Sequence, residues 1–333
     1  MFNQEKFNQL ATKFNLIKGQ DSVYLSNRNF TTLHKLVESK KLKNNHISFA
    51  FSYLYLQNYM FRYAKYDQFV PQTGEIKEML GYSPTQQALD YIIKNGGLLD
   101  KEGMTSTIFD FPIIQEWEDN QPVITMLSSF NEMTSGYGSQ WRKERGIKTN
   151  QSCKFPVYAF VGENEKFNGE FSLNNQGGSF FELSNTTKLD VKTFLYCMAN
   201  SDLESTGFYL YSYLKWKCDC TEGEIYGIGY ERLARETGLK VTTVKKYIKA
   251  LRQYNLISCH SGTYIVYAKG EEVNANDLEP NRYGVNPSSW FLLEKQTELT
   301  KPNYVYNAQI QKDKAMQEQQ SKEIADEMSR LFG

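Results

Sequence analysis

Long apolar runs are missing from this 333-residue chain, and a membrane-spanning helix needs about twenty apolar residues in succession. Cysteine is sparse: five scattered residues build no disulfide framework and fit a reducing compartment. The opening MFNQEKFNQLATKF carries acid and amide where a secretion signal is apolar, so the chain is expected in the cytoplasm. Histidine is nearly absent, with His34, His46 and His260 too far apart to form a metal-ligand pair at i, i+4. A glycine-rich phosphate loop ending in Gly-Lys-Ser/Thr and a Gly-x-Ser-x-Gly nucleophile elbow are both lacking, so the chemistries those motifs serve are excluded. The chain is therefore read as a non-enzyme with no cofactor and no metal. Net charge is lacking as well, since 38 bases match 38 acids.

What is present is repetition. Tyr24-Leu25-Ser26-Asn27 is echoed by Glu182-Leu183-Ser184-Asn185, and Phe51-Ser52-Tyr53-Leu54 by Tyr211-Ser212-Tyr213-Leu214, at offsets of 158 and 160. Ile76-Lys77-Glu78-Met79-Leu80-Gly81 lies over Leu233-Ala234-Arg235-Glu236-Thr237-Gly238 at 157, and Leu98-Leu99 over Leu256-Ile257 at 158. Four matches in register across some eighty residues point to two copies of one small domain. Local charge separates the copies. Residues 230–269 carry Arg232, Arg235, Lys240, Lys245, Lys246, Lys249, Arg252 and Lys269 against Glu231 and Glu236, a net of +6. The equivalent residues 73–112 carry Lys77, Lys94 and Lys101 against Glu75, Glu78, Asp90, Asp100, Glu102 and Asp110, a net of −3. Because screening cuts off beyond roughly 10 Å, a phosphate backbone responds to the local patch.

In the second copy, residues 189–200 and 207–217 have helical apolar spacing, closed by Thr221-Glu222-Gly223, and residues 224–228 are strand-like. Leu233 and Ala234 then mark one helix, Gly238 a tight turn, and Val244, Ile248 and Leu251 the buried side of a second helix. Residues 256–258 and 264–267, flanking His260-Ser261-Gly262, read as a β-hairpin. This order resembles the winged helix-turn-helix family of DNA-binding domains, with residues 230–251 carrying the resemblance. The first copy repeats the plan over residues 46–66 and 74–80, a turn at Gly81, a candidate recognition helix at 85–95 opened by Pro84, and a hairpin around Asp100-Lys101-Glu102-Gly103. The expected fold is α+β and mainly helical: two tandem winged helices at 1–133 and 153–300, a linker at 134–152, and a charged helix or tail at 301–333.

On the second recognition helix Thr242, Thr243, Lys245, Lys246 and Lys249 face outward, flanked by Lys240 and Arg252. Threonines at the helix start suit base edges, and lysines suit phosphates. Gln86 and Gln87 stand at the matching positions of the first copy, where glutamine can read adenine. Arg142 and Lys143, with Arg145 and Lys148, make the linker basic. Cys218, Cys220, Cys259 and His260 have poor spacing for zinc and read as small buried hydrophobes. None of the 23 tyrosines is marked as a nucleophile, and the aromatics read as core. The tandem arrangement resembles plasmid and phage replication initiators, which implies sequence-specific double-stranded-DNA binding at an origin. The rival readings are a transcriptional regulator of a mobile element and a protein-interaction module with a single DNA-binding domain. Met328-Ser329-Arg330-Leu331-Phe332 faintly resembles tails that dock on bacterial sliding clamps, so replication proteins or a clamp join DNA as expected partners.

Overall fold

The computed structural model describes residues 1–15, 20–118, 121–134, 136–148, 151–160, 185–266, 280–297, 299 and 303–332. Its first half runs α1 (Gln4–Phe14), β1 (Ser22–Ser26), α2 (Arg28–Glu38), α3 (Ile47–Arg62), α4 (Thr73–Met79), the one-turn helices α5 (Asp90–Ile93) and α6 (Leu98–Lys101), β2 (Thr105–Ile108), β3 (Pro112–Glu118) and β4 (Gln121–Met126). Then come α7 (Leu127–Met133), α8 (Tyr137–Glu144), β5 (Cys153–Pro156) and α9 (Val157–Phe160). The second half runs β6 (Thr186–Asp190), α10 (Val191–Met198), α11 (Glu204–Asp219), β7 (Ile225–Gly227), α12 (Tyr230–Thr237), α13 (Val241–Gln253), β8 (Ile257–His260), β9 (Thr263–Val266), β10 (Arg282–Val285), β11 (Asn303–Tyr306) and α14 (Asn307–Phe332). The fold is mainly helical α+β, with sheets of only two or three strands.

Sequence dictates which helices are central. Every residue of α3 except Arg62 is buried, as its all-round apolar and aromatic composition requires of a core helix. α11 crosses it, and the contact is aromatic: Phe51 meets Phe208 and Tyr209 at 5.9 and 5.2 Å between ring centroids, and Tyr55 meets Phe208 at 4.9 Å. Phe30 of α2 stacks on Phe51 at 4.7 Å and on Trp216 at 5.1 Å, so both halves share one hydrophobic core. β1 and β6 pair antiparallel above it, Tyr24 opposite Lys188. Buried hydroxyls lock this ribbon to α3: Tyr63 donates to Ser22 O at 2.7 Å and Tyr55 to Leu189 O at 3.2 Å.

Several sequence expectations are corrected. The linker at 134–152 contains helix α8, because Trp141 is fully buried, donates to Asp67 Oδ1 at 2.9 Å and stacks under Arg145 at 4.6 Å. Residues 85–95 form no recognition helix: a 3-10 turn at Gln87–Leu89 leads into the single turn α5, which ends where Lys94 turns extended before Gly96-Gly97. Asp100 to Gly103 is no hairpin. Leu98–Lys101 is helical and β2 pairs with β5, while β3 and β4 form their own hairpin. In the second half β8 pairs with β10, which also pairs with β7, whereas β9 pairs parallel with β11. The strand paired with β8 is therefore Arg282–Val285 rather than 264–267, and residue 267 lies outside the described residues. So do residues 182–184 of the repeat and Lys269. The C-terminal segment is the helix α14; the side chains of Met328, Leu331 and Phe332 are not among those described. Among the described residues, no helix is long and apolar enough to cross a membrane.

Candidate nucleic-acid interface

α12, the turn at Gly238 and α13 form the helix-turn-helix. Leu233, Ala234 and Thr237 are the buried side of α12, and the Thr237 hydroxyl donates back to Leu233 O at 2.7 Å, closing the helix end. Gly238 takes φ +69°, a left-handed conformation that costs an L side chain about 1–2 kcal/mol. Lys240 is the extended residue that starts α13, and Val244, Ile248, Ala250 and Leu251 bury one side of it. The opposite stripe is Thr242, Lys245, Lys246 and Lys249, all exposed, as is Lys240. Positions i, i+3, i+4 and i+7 share one face of a helix, so these four side chains emerge together. Thr243 and Arg252 are half-buried rather than fully outward.

The charge of this stripe is largely uncompensated. Of the two acids on α12, Glu231 and Glu236, the second is occupied: Arg232 Nε donates to it at 2.6 Å, Tyr226 at 3.4 Å, and Tyr213 through a short bond. Burial pushes the Glu236 carboxyl up, but the hydrogen bonds from Tyr213 and Arg232 outweigh it and hold it below the usual range. Lys245 lies 5.6 Å from the Tyr230 ring and Lys246 5.1 Å from the Tyr247 ring, contacts with aromatic faces that supply no formal counter-charge. Lys246 is close enough to the half-buried Glu204 to favour its charge, although burial raises that carboxyl overall. Lys245 and Lys249 are thus better placed than Lys246 to spend their charge on a ligand.

The first half does not supply a matching face. Gln87 is exposed on its 3-10 turn, Gln86 is half-buried just before it, and no helix aligns them. Lys77 is buried and ion-paired with Asp90 at 2.5 Å, which holds α5 against α4. The acidity counted along this segment is also largely cancelled in space. Glu75 pairs with Lys13 at 3.3 Å, Glu102 with Lys41 at 2.7 Å and Asp100 with Lys154 at 2.5 Å, all three lysines lying outside the window counted in the sequence. Arg142 donates to Phe109 O at 2.8 Å and stacks on Phe111 at 5.2 Å, while Lys143 is exposed.

What sequence inspection missed is that the first half grips the turn of the second. His34 Nε2 donates to Arg235 O at 2.6 Å, and Asn44 Nδ2 donates to Gly238 O at 2.6 Å. A Cβ on Gly238 would stand 3.3 Å from Val37 Cγ1 and 3.5 Å from Ile47 Cδ1. The run Lys40-Lys41-Leu42-Lys43 just before Asn44 was the available signal, and its three lysines are exposed. Cys218 is buried and donates to Tyr283 O at 3.2 Å, whereas Cys220 is exposed; among the described residues no three His, Cys, Asp or Glu side chains group to hold a metal ion. Comparison with protein-family models, curated proteins and solved structures finds no match.

Proposed function

We propose that this protein binds double-stranded DNA sequence-specifically, with α13 as the recognition helix in the major groove. One observation carries the reading: Thr242, Lys245, Lys246 and Lys249 emerge as one stripe on a helix whose other side is packed, at the far side of a glycine turn. Threonine near the groove-entering end meets base edges, and lysines on the following turns meet phosphates. The three-stranded β7-β10-β8 sheet beside α13 supplies the wing.

The tandem winged-helix reading draws support from contacts that repeat at one offset. Gly81 packs against Glu204 and Gly238 against Ile47; adding 157 to either member of the first half gives its counterpart in the second. Phe51 and Phe208, also 157 apart, touch each other, and Asn27 donates to Asn185, 158 residues on. Equivalent residues that meet their own counterparts are what a local two-fold axis between two copies produces. In this reading the first copy has lost its recognition helix and the second reads the DNA. Origin binding in the replication of a plasmid or phage is the role we assign to this arrangement.

The test replaces Lys245, Lys246 and Lys249 by alanine together. Each phosphate contact contributes about 0.9 to the dependence of log affinity on log salt, so the slope on a random duplex flattens by roughly two to three. An unchanged slope removes α13 from the interface. Footprinting the protein on DNA from its own genetic neighbourhood, followed by maintenance of a plasmid carrying the footprint, then tests the replication role.

A further inference from the structure

The residues that hold the α12–α13 turn belong to a basic segment that the DNA-reading helix does not contain. Between residues 35 and 45 the first half carries Lys35, Lys40, Lys41 and Lys43 against the single acid Glu38. This segment is fixed at the turn by Asn44 on Gly238 O, with His34 on Arg235 O one helical turn earlier. Lys41 is neutralised by Glu102 at 2.7 Å. Lys40 and Lys43 are exposed, and neither ammonium group has a partner among the described residues.

Lys40 also sits where a lysine is costly. It follows the end of α2 at φ +60°, a C′ position that glycine ordinarily fills, and the bonds Lys40 N to Val37 O and Leu42 N to Leu36 O, each 3.0 Å, close the helix end around it. An L side chain held there is strained, and strain kept at an exposed position points to a use for the side chain rather than to packing. Asn44 touches the turn two residues before Lys240, which opens α13, so Lys40 and Lys43 flank the helix end that enters the groove.

We infer that residues 39–45 form a second phosphate-gripping element, in which Lys40 and Lys43 of the first half hold the DNA backbone beside the recognition helix of the second. The inference rests on the DNA-binding reading of α13. It gives the first half a direct DNA contact that does not pass through its own helix-turn-helix remnant.

The full chain carrying Lys40→Gly and Lys43→Ala is titrated against a random-sequence duplex three helical turns long over a salt series, beside the wild type and the Lys245, Lys246 and Lys249 triple variant. The salt slope of the double variant is expected to fall by about one to two, at about 0.9 per lost contact. Its ranking of duplexes is unchanged, and the thermal midpoint of Lys40→Gly alone holds or rises because the strain is relieved. A flattened slope in the triple variant with an unchanged slope in the double variant overturns this inference and leaves α13 as the DNA-reading helix. Salt-independent binding by all three proteins overturns both.

Discussion

Replacing Gly238 separates the turn's two demands, backbone conformation and close approach. At φ +69°, alanine pays about 1–2 kcal/mol for the left-handed region, and recovers about 0.4–1 kcal/mol by stiffening the unfolded chain. Its Cβ would also stand 3.3 Å from Val37 Cγ1, so α2 must give by a few tenths of an ångström. The net expectation is a loss of about 1–2 kcal/mol, or a fall in thermal midpoint of roughly 2–4 °C at the shallow response of a large chain. Asparagine tolerates αL better, and Gly238→Asn should lose less than Gly238→Ala. Valine, branched at Cβ, should lose the most. Combining Gly238→Ala with Val37→Ala removes the close contact but not the conformational cost, so the two changes should be less than additive. Urea denaturation followed by tryptophan fluorescence measures all four variants. An alanine variant as stable as the wild type would refute the assignment of a left-handed turn packed on α2.

Thr242→Ala should cost roughly 1–3 kcal/mol of discrimination between the footprinted duplex and a random one, while affinity for the random duplex hardly moves. Equal losses on the two would make Thr242 a backbone contact. A pH experiment concerns Lys65, a buried residue whose ammonium donates to Asn15 O at 2.9 Å and Gln20 Oε1 at 2.5 Å, and whose pKa burial lowers to about 8. The unfolded chain holds that proton to about pH 10.4, so between about 8 and 10.4 the unfolded state binds more protons and rising pH stabilises the fold. The stability of the wild type relative to Lys65→Met should therefore rise through that window and lie flat below pH 7; a flat difference throughout would remove the desolvation argument.

The second helix-turn-helix was legible in the sequence because everything it needs is local: two amphipathic stripes, a small Ala234 and one glycine at the turn. α3 was legible too, since its aromatic run fits only a buried helix. The conformation of residues 85–95 was not. Their apolar spacing matched, but the buried Lys77 ties up the half-exposed Asp90 and Gly96-Gly97 ends the helix after one turn, an outcome that depends on which lysine reaches which acid. Composition misled at residues 134–152, where glycines and lysines outweigh one tryptophan in a count and that tryptophan decides the structure. The expected hairpin failed because the nearest strand-like run was paired with β8, while its actual partner β10 lies farther along the chain. Charge windows failed in the same way, because Lys13, Lys41 and Lys154 come from outside the segment they neutralise.

These long-range contacts bear on how the two halves divide the work. A recognition helix discriminates bases only when its approach angle is fixed, since a rotation of a few degrees moves side chains out of bidentate reach. In this chain the other half packs on the turn that leads into α13: Val37 and Ile47 close on Gly238, while His34 donates to the carbonyl of Arg235 and Asn44 to that of Gly238 itself. Tyr82, directly after the turn at Gly81, is half-buried close to Tyr247 on α13 and packs on Phe49 of α3 at 5.1 Å. Residues 153–300 expressed alone would lose all of these and expose Phe208 and Tyr209, whose partners Phe30 and Phe51 lie in the first half. Phosphate affinity, which needs only positive charge, should outlast base preference as this interface is weakened. If α13 reads DNA as proposed, specificity is a property of the joint between the halves, and substitutions such as Val37→Ala or Asn44→Ala, remote from any base, should relax base preference more than they reduce binding to random DNA.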